Sequence, residues 1–306
     1  MEVITQAQYE SMEKKLYPVY NESNVYITKE IIQKMLKRGG IMDEISDLAM
    51  WQKAFVHASY TAAQWERDPV KNEKFYGVLN AEELVKNPQM MPLQPDSSES
   101  FEWLGDGILQ AIMAHYLYNR YPNQQEGFLT KLRSKLVKTE SLSKLALALR
   151  FDKFLIISKH IEIVCNGRKN NTILEDAFEG FIGAMMCDFG RTNRAQGFDK
   201  CYTFIVNMME QYIDITQLII HDDNYKDQLM RYFHKNFGGK LPRYELKEVI
   251  NVQGENQIVT KRFHMVVYDL DGKLIGSGIQ KNKQDAEQQA AREALKQYGI
   301  THAYLL

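Results

Sequence analysis

Glu99, Glu102 and Asp106 stand at i, i+3 and i+7 in the run Ser98-Glu99-Ser100-Phe101-Glu102-Trp103-Leu104-Gly105-Asp106-Gly107-Ile108-Leu109. On a helix they share one face, while Phe101, Leu104 and Ile108 repeat at the same spacing on another, the buried one. A solvated acidic face pairs its carboxylates with cations one turn away. Here no Lys or Arg occurs between Pro95 and Asn119. The three acids therefore repel one another without local relief, an arrangement that fits a divalent cation, a binding partner or a plain acidic surface.

A second run narrows those options. In Ile173-Leu174-Glu175-Asp176-Ala177-Phe178-Glu179-Gly180-Phe181-Ile182-Gly183-Ala184 the acids Asp176 and Glu179 fall at i, i+3 inside an apolar stretch that reads as a buried helix. Burying carboxylates is costly unless they are paired or bind a metal. Gly180 and Gly183 predict close approach of another helix. Two such helices supply an all-oxygen cage, which suits Mg²⁺ or Mn²⁺ and not zinc.

The two runs closely resemble the signature of the ribonuclease III family, roughly E-x-x-E-[FW]-L-G-D followed by D-x-x-E-[AS]-x-x-G-A. They occur in the right order, about seventy residues apart. The resemblance implies an all-helical nuclease domain working as a homodimer, whose valley holds a double-stranded RNA and whose two active sites each cut one strand. Carried over by position, Glu102, Asp106, Asp176 and Glu179 would bind Mg²⁺, with Mn²⁺ able to substitute. Asp106 and Glu179 would be the catalytic acids, and Glu99 would support the site near the dimer interface. Glu126 matches a further acid of the family, and it equally suits charge compensation at a helix N-terminus. Products would be 5′-phosphate and 3′-hydroxyl ends with a two-nucleotide 3′ overhang.

Composition fits that reading with one reservation. The 306 residues suffice for two domains, at 44% hydrophobic and 25% charged. No apolar run approaches a membrane span, and Met1-Glu2-Val3-Ile4 lacks the basic-then-apolar pattern of a signal peptide. The expected location is intracellular, cytoplasmic or nuclear. Cys165, Cys187 and Cys201 show no C-x-x-C spacing and read as reduced, buried thiols. A net charge of −1 is low for a nucleic-acid binder, so RNA contact must rest on local basic patches.

Along the chain, residues 1–45 read as a helical N-terminal extension with one helix over Thr28–Arg38, capped by Thr28 and ended by Gly39-Gly40. The nuclease domain is expected over 46–220. Leu48–Tyr60 reads as a helix whose Phe55-Val56-His57-Ala58-Ser59-Tyr60 resembles the family's H-x-S-Y element, with His57 a hydrogen-bonded structural residue and not a base. An insertion of about 61–97, carrying Pro69, Pro88, Pro92 and Pro95, predicts a surface excursion with a short helix at Asn80–Asn87. Such an insertion and a long N-terminal region resemble the versions in large DNA viruses and eukaryotic microbes. Helices are expected over Gln110–Tyr121, Glu126–Val137, Ser141–Leu149 and Phe198–Ile220. Thr172 stands where relatives such as Dicer carry a lysine, which makes the site closer to the bacterial type.

Beyond a polar boundary at His221-Asp222-Asp223 the periodicity changes. A helix (Asn224–Phe237), three strands (Pro242–Val252, Val259–Leu270, Lys273–Ile279) and an Ala-rich helix (Lys283–Tyr298) predict an α-β-β-β-α module over 223–299. This order, with Gly276-x-Gly278 and Ala286-x-x-x-Ala290-Ala291-x-x-Ala294, resembles the double-stranded RNA-binding domain. The resemblance implies RNA contacts by Gln228, Lys281, Asn282 and Lys283. Gly254-Glu255-Asn256-Gln257 replaces the usual G-P-x-H loop, and residues 221–306 hold 13 Lys+Arg against 11 Asp+Glu. RNA affinity is expected to be moderate and steeply salt-dependent. The alternative reading is a non-cleaving binder that sequesters duplexes. Either role suits RNA processing or the removal of duplex RNA that triggers silencing and antiviral responses.

Overall fold

A computed structural model describes residues 2–4, 17–220, 224–253 and 259–300. The boundary His221-Asp222-Asp223 and the loop Gly254–Gln257 lie outside the described residues. The chain divides into two compact units, Lys15–Ile215 and, together, Met1–Lys14 with Thr216–Leu306.

The first unit is helical. It contains α1 (Lys29–Arg38), α2 (Leu48–Lys53), α3 (Ala62–Arg67), α4 (Pro69–Tyr76), α5 (Glu82–Lys86), α6 (Glu99–Arg120) and α7 (Glu126–Leu136). Then come α8 (Thr139–Ala148), α9 (Lys159–Val164), α10 (Asn171–Phe189) and α11 (Arg194–Tyr212). A short α12 (Ile215–Ile220) follows.

Helix ends follow local chemistry. Thr28 accepts from the Ile31 N–H to start α1, and Gly40 with φ +85° follows its end. Asn170 caps α10 by accepting from the Thr172 N–H at 3.0 Å. The apolar side of α10 builds the core: Phe181 lies 4.8 Å from Trp51, 5.2 Å from Phe151 and 5.6 Å from Phe204, centroid to centroid. Each such aromatic pair adds about 1 kcal/mol beyond area burial. Asp188, at the end of α10, is buried and accepts from the Ser46 N–H (2.9 Å) and Trp51 Nε1 (2.8 Å), tying the α2 region to this core.

Two expected helices are broken. The one over Leu48–Tyr60 stops at Lys53, because the chain turns at Ala54–Phe55 and Val56 then bridges to Ile156: Ile156 N–H donates to Phe55 O and His57 N–H to Ile156 O. A short 3₁₀ turn, Ala58–Tyr60, follows. Long-range pairing here overrides local helix propensity. The helix expected over Phe198–Ile220 instead starts at Arg194 and breaks at Ile213, whose backbone is extended.

The insertion over 61–97 is more structured than expected, with three short helices packed on a cluster that includes Tyr20, Val56, Tyr60, Trp65 and Met91. Of the cysteines expected to be buried, Cys201 is buried, Cys187 is partly so and Cys165 is exposed.

In the second unit, β1 (Glu2–Ile4) pairs antiparallel with β2 (Arg243–Gln253), so the first residues form a strand in place of the expected helical extension. β2 pairs with β3 (Val259–Tyr268), and β3 with β4 (Leu274–Gln280), all antiparallel. Helices α13 (Tyr225–Asn236) and α14 (Lys283–Gln297) complete the α-β-β-β-α order. Leu229 and Phe233 of α13 pack with Val267, Ile275, Ala290, Ala291, Ala294 and Leu295. The Gly276-x-Gly278 pair is a packing requirement, since a Cβ on either would strike a backbone carbonyl of α14, of Ala290 or Ala286. Among the described residues no helix is long and apolar enough to cross a membrane.

Candidate metal centre and RNA-binding surface

Helices α6 and α10 cross in direct backbone contact. A Cβ on Gly105 would meet the Glu179 carbonyl, and one on Gly183 would meet the Phe101 carbonyl. Gly180 faces the Ala54 carbonyl and Ser98 instead. The expectation that the α10 glycines admit a helix therefore holds for Gly183, while Gly180 admits the chain after α2. This contact carries the acids of both helices to one place.

Glu102, Asp176 and Glu179 each direct a carboxylate oxygen into a group whose members lie within 4.8 Å of one another, all half-buried. Burial and mutual repulsion raise the pKa of all three. Glu179 is pushed up to about 8 by desolvation and by the charges of Asp106, Glu175, Glu102 and Asp176. Asp176 is pushed up to about 7 by desolvation and then by Glu102 and Glu175. Glu102 is raised by desolvation first and then by the charges of Glu99, Glu175 and Asp106.

Asp106, expected as a fourth ligand, stands outside this group of three. It lies one turn further along α6, is exposed, and accepts from Gln110 Nε2 at 3.2 Å. Its charge nevertheless acts on Glu179 and Glu102. Glu175 is an addition to the expected set: its charge acts on Glu102, Asp176 and Glu179, and burial raises its own pKa. The signal for it in the sequence is its i, i+4 spacing to Glu179, which places both on one helical face.

Glu99 is exposed and accepts from Ser97 Oγ at 2.7 Å. Glu126 opens α7, is exposed and accepts from Thr130 Oγ1 at 3.0 Å, which fits charge compensation at that helix start. His57 is hydrogen-bonded as expected, through Nδ1 to Ser59.

In the second unit Lys281, Asn282 and Lys283 are exposed at the start of α14. Asn282 is the N-cap, accepting from the Asp285 N–H at 2.8 Å. Gln228, in contrast, is buried, only 6% exposed, beside Leu229 on the packed side of α13. The open side of the helix carries Met230 and Arg231.

The Ribonuclease III domain family matches residues 99–190, and the Double-stranded RNA binding motif matches 225–298. The chain is 30% identical over 293 residues to a probable ribonuclease 3 of Acanthamoeba polyphaga mimivirus, covering 95% of this chain and 49% of that protein. It thus spans about half the length of that viral relative. It is 33% identical over 208 residues to the putative protein A464R of Paramecium bursaria Chlorella virus 1, covering 68% and 69%. It is 30% identical over 268 residues to the ribonuclease 3 of Streptococcus gordonii, covering 88% of this chain and 97% of that one. With a helical nuclease domain followed by a double-stranded RNA-binding module, this chain belongs to the ribonuclease III family.

Proposed function

We propose that this protein is an intracellular endoribonuclease that cuts double-stranded RNA as a homodimer, by divalent-cation-dependent phosphodiester hydrolysis. The observation that carries the reading is the trio Glu102, Asp176 and Glu179, held within 4.8 Å at a cost in repulsion. Carboxylates forced together in a half-buried place are destabilised as anions, so a hard cation is the partner that matches both their charge and their oxygen donors. This donor set fits Mg²⁺, with Mn²⁺ an acceptable substitute. When bound, such a cation neutralises developing charge at the phosphate and makes water a better nucleophile.

The chain's own residues do the rest. Glu102, Asp176 and Glu179 would hold the cation, releasing the protons that burial keeps on Asp176 and Glu179. Asp106 and Glu175 add negative field at the rim of the group. The exposed start of α14, with Lys281 and Lys283, would bind duplex phosphates. At the acid cluster, attack of water on phosphorus with cleavage of the P–O3′ bond would leave 5′-phosphate and 3′-hydroxyl ends. Trp103, one residue from Glu102 and 80% exposed, supports docking of a second copy of the nuclease domain. Processing of structured transcripts and removal of duplexes that trigger silencing both follow from this chemistry.

The test is cleavage of end-labelled duplex RNA in Mg²⁺, in Ca²⁺ and in EDTA, with Glu179→Gln alongside. Short duplex products in Mg²⁺, and a loss of at least about a thousandfold in the variant, are expected. Intact RNA that is still retarded on a gel would replace the nuclease with a sequestering binder.

A further inference from the structure

The insertion over 61–97 contributes nothing to the acid cluster, yet one of its side chains meets His57, which follows Val56, the residue whose carbonyl accepts from the Ser98 N–H at the start of α6 at 2.8 Å. Helix α4 ends at Tyr76, whose ring meets His57 edge to face, with centroids 6.2 Å apart and planes at 88°. Ser158 anchors this end of the insertion, its Oγ donating to the Tyr76 carbonyl at 2.9 Å. The Ser158 N–H donates to Ser59 Oγ at 3.0 Å.

Ser59 in turn fixes the state of His57. Its backbone N–H donates to His57 Nδ1 at 3.1 Å, and its Oγ lies 2.9 Å from the same nitrogen. A backbone N–H can only donate, so Nδ1 carries the lone pair and the ring proton sits on Nε2. Burial keeps the imidazole neutral, pushed down to about 4, and burial raises the Tyr76 hydroxyl. Both groups are therefore neutral donors at working pH.

Neither His57 Nε2–H nor Tyr76 O–H has a hydrogen-bond partner among the described residues, and neither atom is sealed in the interior. The Ser98–Val56 hydrogen bond sets Glu99 and His57 as next residues on two bonded stretches of chain, and the Glu99 carboxylate acts electrostatically on both rings. Ser97 occupies its Oε2, leaving Oε1 open. Two neutral donors beside an anionic acceptor do not suit a phosphate, which Glu99 would repel. They suit a hydroxyl, which must both donate and accept. In duplex RNA the exposed hydroxyl is the ribose 2′-OH, lining the wide minor groove.

We infer that His57, Tyr76 and Glu99 together read one ribose 2′-hydroxyl of the bound duplex, so that the insertion helps distinguish RNA from DNA. This rests on the duplex-cutting function proposed above. Tyr76 and His57 are specificity-determining residues in this account, and neither touches the reacting phosphate.

The test is single-turnover cleavage of RNA duplexes that each carry one 2′-deoxynucleotide, walked across the positions flanking the cut. Wild-type protein and Tyr76→Phe are compared, the phenylalanine keeping the ring against His57. Wild-type is expected to slow roughly fivefold at one position, the loss of about one hydrogen bond. In Tyr76→Phe the all-ribose duplex is cut about threefold more slowly, and the penalty at that position falls below about twofold. Thermal midpoints of the two proteins should agree, which separates this role from support of the fold. The inference is overturned if no single deoxy position matters, or if the variant and the deoxy penalty multiply independently. Failure of wild-type protein to cut the all-ribose duplex would remove the nuclease reading itself.

Discussion

The α6–α10 crossing and the β4–α14 contact use the same device to opposite ends. Both bring two backbones together through paired glycines, Gly105 with Gly183 in the first and Gly276 with Gly278 in the second. At α14 the facing residues are alanines, and the contact closes a core while the polar start of the helix stays outside. At α10 the contact draws together acids that repel, so the packing works against the stability it provides. In the nuclease unit, the proposed metal site is built by the packing itself, at an energetic cost. In the RNA-binding module the proposed phosphate contacts lie on an exposed helix start to which the core is indifferent.

Filling the glycines should break both contacts at similar cost and with different consequences. Gly183→Val and Gly278→Val each force a side chain against a carbonyl, Phe101 or Ala286, and should lower stability by about 2–4 kcal/mol in denaturant titrations. Gly183→Val should also abolish cation-dependent cleavage by separating Glu102 from Asp176 and Glu179. Gly278→Val should weaken duplex binding and leave slow cleavage at low salt. Equal loss of cleavage in both variants would erase the distinction.

The stored repulsion can be read as a pH dependence. The folded-state pKa values of Asp176 and Glu179, about 7 and about 8, exceed ordinary carboxylate values. The cation-free folded chain therefore binds more protons than the unfolded one, and its stability falls as pH rises through that range. In EDTA the thermal midpoint should drop by about 3–6 °C between about pH 6.5 and 8.5. Starting near pH 6.5 avoids the lowered histidines, His57 and His160, whose contribution is lost only toward acid pH. Asp176→Asn with Glu179→Gln should flatten the slope, and saturating Mg²⁺ should reverse it, because deprotonated carboxylates bind the cation. An unchanged slope in the double variant would show that the acid cluster stores no such repulsion.

The same contrast explains what the sequence discloses. Acids inside an apolar run violate the core pattern, so Asp176 and Glu179 stand out from the residue order alone, and Glu102 follows from its spacing. Glu175 does not stand out, because nothing in the run separates it from an ordinary helix acid except a neighbour four residues on. Asp106 looks equivalent to Glu102 by spacing, and while its carboxylate accepts from Gln110 its charge still reaches Glu179 and Glu102. The helices at 48–60 and 198–220 read as continuous because pairing with Ile156 and the extended Ile213 are tertiary facts with no local mark. Gln228 shows the limit on the surface side. A family position identifies it as a contact, but its burial, and the exposure of Met230 and Arg231 one or two residues on along α13, are tertiary facts that the residue order does not mark.

Surface function should accordingly be removable without structural cost, and the lysines of α14 offer the mildest test. Lys281 and Lys283 are exposed and flank the cap Asn282, where the helix start adds its own donors for an anion. Replacing both by alanine should leave the thermal midpoint within about 1 °C, since exposed charges contribute little to stability. Duplex affinity should fall about tenfold near 0.1 M salt, uniformly across sequences, because bonds to phosphate carry no base information. The slope of log affinity against log salt should shrink by about 2, one for each phosphate left without its lysine. The measurement is a gel-shift series in Ca²⁺ over a salt range. A slope that stays at its wild-type value would move phosphate recognition off α14 and leave Asn282 as a cap alone.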